Sequence, residues 1–151
     1  MSIADERVSL EWLILADSAY VVGNKLYLMG GGWDVLTVNS DFPVDQVIGI
    51  AASYSIPWGD TNQPHLAEIN IIDEDGNASM AKIGHQFEVG RPPGIPAGSS
   101  QRTQMAGTIV LRISHPGNYS IRSQIDGEEQ HLRAHFRVVA PPGVAPRKEA
   151  P

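Results

Sequence analysis

Residues 108–138, TIVLRISHPGNYSIRSQIDGEEQHLRAHFRV, decide the fold class of this chain. Ile109, Leu111 and Ile113 share one face of an extended segment, with Thr108, Val110 and Arg112 on the other. Tyr119, Ile121 and Ile125 then alternate with Ser120, Arg122, Gln124 and Asp126, and Leu132, Ala134, Phe136 and Val138 alternate with Arg133, His135 and Arg137. A period of two sends successive side chains to opposite faces, so each segment reads as a strand with one wet side. Three such strands in succession predict an antiparallel meander over a core.

The intervening residues predict tight turns. His115-Pro116-Gly117-Asn118 places Pro, with its fixed φ, before Gly, which tolerates positive φ, the order a type II turn needs. Asp126-Gly127, Asp75-Gly76 and Gly23-Asn24 suit two-residue hairpins of type I′. Working back from there, short apolar runs predict strands over 10–22, 25–29, 33–38, 46–56, 66–73, 79–89 and 104–114. With the last two, about nine strands predict an all-β domain, a two-layer antiparallel β-sandwich of immunoglobulin-like or jelly-roll-like type. Residues 1–139 form that domain in this reading. Gly90 to Gln101, with Pro92, Pro93 and Pro96, reads as a long loop, and 140–151 as a disordered Pro-rich tail.

The chain has 151 residues, 42% hydrophobic and 19% charged, enough for one core. It contains no cysteine, which excludes disulfides, thiolate nucleophiles and sulfur-ligated metal centres. The apolar run Trp12 to Ala16 is too short to span a membrane, and Asp5 and Glu6 precede it where an export signal would be basic; a cytoplasmic protein with no membrane partner is expected. The net charge of −6, with scattered Lys and Arg, argues against nucleic acid as a partner.

The stretch from Ala16 to Trp33, ADSAYVVGNKLYLMGGGW, resembles the opening of a family of small bacterial β-sandwich proteins of unknown function. Pro116-Gly117-Asn118-Tyr119 and Ile125-Asp126-Gly127 fit the same pattern. The resemblance implies the fold and brings no activity, cofactor or catalytic residue with it.

Side chains that carry chemistry are present but do not form a constellation. Gly30-Gly31-Gly32 leads into the strand-like Trp33 to Val38 rather than into a helix, so a corner or close backbone approach is expected instead of a phosphate loop. Asp73-Glu74-Asp75-Gly76-Asn77 is rich in oxygen ligands but lacks the EF-hand glycine and glutamate, and reads as a hairpin tip rather than a calcium site. His131 and His135 are too far apart along a strand for one metal, and His65, His85 and His115 are isolated in sequence. No serine sits in a G-x-S-x-G elbow. Asn77-Ala78-Ser79 and Asn118-Tyr119-Ser120 match the glycosylation sequon, which means little without export.

No catalytic residue, cofactor or metal is therefore expected. What stands out is apolar surplus: Leu13 and Leu15 in the first strand, and Tyr27 and Met29 in the next hairpin, fall on the face opposite the expected core face. These four are the predicted interface of a non-enzymatic protein that pairs with itself, as a homodimer, or with another protein. The alternative is a small-ligand or carbohydrate-binding module in which Trp58, in the turn Ile56-Pro57-Trp58-Gly59-Asp60, stacks on the ligand.

Overall fold

The computed structural model describes residues 7–76 and 81–141 of the chain. The strands are β1 (Ser9–Ala16), β2 (Ser18–Val22), β3 (Lys25–Met29), β4 (Val35–Thr37), β5 (Val44–Ile56), β6 (Pro64–Asp73), β7 (Ala81–Glu88), β8 (Gln101–Ile113), β9 (Gly117–Ile125), β10 (Glu128–Glu129) and β11 (Ala134–Val139). The protein is all-β: these eleven strands form three sheets, one of them curled into a half-barrel. The only helical turn among the described residues is a single 3-10 turn at Trp58–Asp60.

One sheet runs β1-β5-β8; a larger one runs β4-β11-β9-β6-β7, with β10 pairing β9; and β2-β3 is a separate hairpin. Leu13, Leu15, Ile48, Ile50, Tyr54 and Leu111 from the first sheet and Ile69, Ile71, Ile121, Phe87, Phe136 and Val138 from the second fill one shared core. The Tyr54 ring stacks on Phe87 across the two sheets, and its hydroxyl lies 2.9 Å from Ser123 Oγ.

The phase of β1 differs from the sequence expectation. Leu10 pairs with Tyr54, but Trp12 pairs with Ser53, so one extra residue is accommodated between them as a bulge. An inserted residue flips every later side chain to the other face. Leu13 and Leu15, expected on the second face, are therefore core residues, only 9% and 3% exposed. Trp12, Ile14 and Ala16 take the second face instead, paired with Ser53, Ala51 and Gly49.

That second face is covered from within the chain. The predicted first strand breaks at Asp17, and the β2–β3 hairpin folds back over the outer surface of β5 and β8. Small residues make room for it: Gly49, Ala51 and Ala106 lie on that surface, and Thr108 Oγ1 engages both the N–H and the carbonyl of Ala19, at 3.2 and 3.3 Å. Gly30-Gly31-Gly32 is the corner that returns the chain. A β-carbon on Gly30 would overlap the Asp17 carboxylate, and Gly32 N–H donates to the Leu15 carbonyl.

The meander also differs. β9 and β11 are antiparallel neighbours, but β8 pairs with β5 in the other sheet. The His115-Pro116-Gly117 turn is thus a corner between sheets rather than a hairpin. β4 pairs with β11 in parallel, the one departure from antiparallel order among the described strands. The Gly23-Asn24 and Asp126-Gly127 turns join paired strands, with all four residues at positive φ. Residues 90–100 form no strand, and Ala140 still packs against the core. Residues 142–151 and the Asn77-Ala78-Ser79 sequon lie outside the described residues.

Candidate functional site

The β2–β3 hairpin presents one face to the protein and one to solvent. Alternation sends Ala19, Val21, Leu26 and Leu28 inward and Tyr20, Val22, Tyr27 and Met29 outward. Tyr20 and Tyr27 are directly opposed across the ribbon, with Met29 opposite Ser18 and Val22 opposite Lys25. Tyr27 is 55% exposed and Met29 71%. Val47 and Val110, paired across β5 and β8 two residues beyond the Gly49–Thr108 pair that the hairpin crosses, are exposed as well. Of the four predicted interface residues, Tyr27 and Met29 are at the surface; Leu13 and Leu15 are not. Tyr20 and Val22 complete the patch, and only knowledge of which face the hairpin turns outward could have selected them.

Trp58 is held in place by its own chain. The Arg91 guanidinium, from the Pro-rich loop, lies 3.8 Å from the centre of the indole ring. Arg91 also donates to the Trp58 carbonyl and to Thr61 Oγ1, so one face of the expected stacking platform is occupied.

His65, isolated in sequence, is almost wholly buried and engaged at both ring nitrogens. Nδ1 lies 2.7 Å from Asp126 Oδ2 and Nε2 lies 2.8 Å from the Asp60 carbonyl. Carboxylate and carbonyl oxygens only accept, so the ring satisfies both partners at once only as the imidazolium. Burial, the largest influence, opposes that charge, but the Asp126 hydrogen bond, the Asp60 carbonyl and the two carboxylate charges together raise its pKa. Burial also pushes the Asp126 pKa up, yet the bonds from His65 and the Leu66 N–H leave it below the usual value. His85, stacked on Phe87, is instead shifted down by burial.

A second group of ionisable side chains meets where β6 ends and β9 begins. Register pairing sets Asp73 opposite Tyr119, and the corner after β8 brings His115 beside them. Asp73, Asp75 and His115 each offer a ligand atom within 4.8 Å of the others. Tyr119 stacks on the His115 ring and donates its hydroxyl to the His115 carbonyl. Burial, with the nearby Asp73 and Glu74 charges, raises the Tyr119 pKa to about 12. Nothing in the spacing of residues 73, 75 and 115 signals this meeting.

Among the described residues no serine is hydrogen-bonded to a histidine. The chain matches the model of a family of unknown function (DUF6941) over residues 11–139, from β1 through the end of β11, and it belongs to that family. No curated protein matches it.

Proposed function

We propose that this is a non-enzymatic interaction protein that pairs with a second copy of itself through the outer face of the β2–β3 hairpin. The observation that carries the reading is the exposed Tyr20–Tyr27 cross-strand pair flanked by Val22 and Met29. Tyr and Met are enriched at protein interfaces, and contiguous apolar surface on a soluble chain marks an interaction site. Its charge favours self-pairing. On a molecule of net charge −6, the six outward residues of the hairpin include one cation, Lys25, and no anion. Two copies can therefore meet there without like-charge crowding of acidic groups. A two-fold axis through a hairpin would bring each Tyr pair against its copy, and Val47 and Val110 enlarge the area toward the roughly 800 Å² per subunit of a stable interface.

We read the architecture behind this surface as a two-layer sandwich, immunoglobulin-like or jelly-roll-like, a reading supported by the single core shared between the two larger sheets. The cytoplasm is the proposed location. The alternative, a small-ligand module using Trp58, draws on less because Arg91 already fills one face of that ring.

The test is light scattering after size exclusion on the full chain across micromolar concentrations, with a Tyr27→Glu/Met29→Glu variant beside it. The expected result is a dimer that becomes a monomer in the variant with an unchanged melting temperature. A monomer at about 100 µM for the unmodified chain, or a variant that still dimerises, overturns the proposal.

A further inference from the structure

We propose that Asp73, Asp75 and His115 form a site for one divalent metal ion of the zinc class, with the imidazole as its selective ligand. The site is remote in kind from the apolar hairpin surface and does not depend on that reading.

The orientation of His115 is the leading observation. Nδ1 lies 3.0 Å from the Pro116 carbonyl, an acceptor only, so Nδ1 carries the ring proton and donates. In the neutral ring Nε2, 3.8 Å from Asp73 Oδ2, is then the nitrogen that carries the lone pair. A lone pair and a carboxylate oxygen repel unless a cation or a proton lies between them. This is the arrangement by which metal-binding histidines are aimed: one nitrogen tied to a backbone carbonyl, the other turned to the metal. A separation of 3.8 Å is too long for a hydrogen bond, yet it falls in the range between two atoms that each bind one ion at about 2 Å.

The two carboxylates complete the set. Asp73 is the last residue of β6, its side chain only 8% exposed; its Oδ1 accepts the Asp75 N–H at 3.0 Å, and its Oδ2 is the atom nearest the His115 Nε2. Asp75, two residues on in the turn, is exposed and can rotate. The three ligand atoms lie within 4.8 Å of one another, so closing onto one ion takes a movement of roughly 1 Å, within a single rotamer adjustment of Asp75. The stacked Tyr119 ring holds the imidazole plane in place, and Glu74, packed against Gly117, adds negative charge close by.

Ligand chemistry sets the metal class. Calcium takes six to eight oxygens, whereas one imidazole nitrogen with two carboxylates suits zinc or its neighbours and leaves coordination positions for water. The oxygen-rich run after β6 thus contributes two of its members to a site completed by a histidine from forty residues further on.

The experiment is calorimetric titration of the full chain with zinc chloride, then with cobalt chloride followed by visible absorption, and with calcium chloride. Expected are one zinc per chain at micromolar affinity, a cobalt spectrum altered in His115→Gln, and at least tenfold weaker zinc binding in both His115→Gln and the exposed-turn variant Asp75→Asn. His131→Gln serves as the control and should bind like the unmodified chain. No saturable zinc binding below about 100 µM, affinity retained in both variants, or calcium bound as tightly as zinc each overturns the proposal.

Discussion

Gly49 lies directly beneath Ala19: a β-carbon on Gly49 would come within 2.8 Å of the Ala19 nitrogen and 2.7 Å of the Ser18 carbonyl carbon. Backbone cannot yield as a flexible side chain can, so this one contact sets how closely the β2–β3 hairpin rests on β5. Gly49→Ala should cost about 1–3 kcal/mol and lower the melting temperature by roughly 3–10 °C. Gly84→Ala in β7 is the comparison, since its β-carbon would meet nothing within 4 Å. Thermal unfolding that ranks the two equally would show that the hairpin moves aside freely.

Tyr54 and Ser123 are both fully buried and join the two larger sheets through their hydroxyls. Tyr54→Phe leaves the Ser123 hydroxyl without its tyrosine partner in the core and should destabilise by about 1–3 kcal/mol. Tyr54→Phe/Ser123→Ala removes both groups and should cost less than the two single changes added together. Denaturant melts of the four proteins check this, and strict additivity would mean that the bond contributes nothing.

The His65–Asp126 pair gives stability a defined pH window. A raised histidine pKa stabilises the fold fully below the ordinary 6.5 and less as pH climbs through the raised value. A lowered aspartate pKa stabilises above the ordinary 3.8 and less as pH falls. The pair therefore contributes most between about pH 4 and 6.5. The melting-temperature gap between the unmodified protein and His65→Gln should be largest near pH 5.5 and narrower at pH 9 and at pH 3. An equal gap at pH 5.5 and pH 9 would show that His65 is not held as the imidazolium.

Arg91 ties the Pro-rich loop to the Trp58 turn through the ring, the Trp58 carbonyl and Thr61. Arg91→Ala should shift tryptophan emission to the red and hasten proteolysis within 90–100, with a loss of about 1 kcal/mol in stability. Introducing Trp58→Phe as well should abolish the spectral shift. A shift that persists without Trp58 would point to wider disturbance.

The residues themselves carried the strand pattern and the tight turns. Tyr119, Ile121, Phe136 and Val138 face the core as their alternation requires, and Gly23-Asn24 and Asp126-Gly127 close hairpins because only positive φ at both positions matches the twist of the flanking strands. Family membership, too, is a property of the sequence over 11–139. The strand pattern and the turns are local facts, fixed by one residue and its next few neighbours.

Tertiary structure decided what alternation leaves open, namely which strand lies beside which and what covers a second face. The bulge between Leu10 and Trp12 moves Leu13 and Leu15 into the core, and because both faces of Trp12 to Ala16 are apolar, the pattern after the slip does not reveal it. The turn at Pro116-Gly117 carries hairpin chemistry, yet it passes from one sheet to the other because β8 finds its partner in β5, far earlier in the chain. The meeting of Asp73 with His115 and that of His65 with Asp126 come from another distant pairing, β6 with β9. Period two determines on which side a side chain stands; only the closing of the sheets around a common core determines what it meets there.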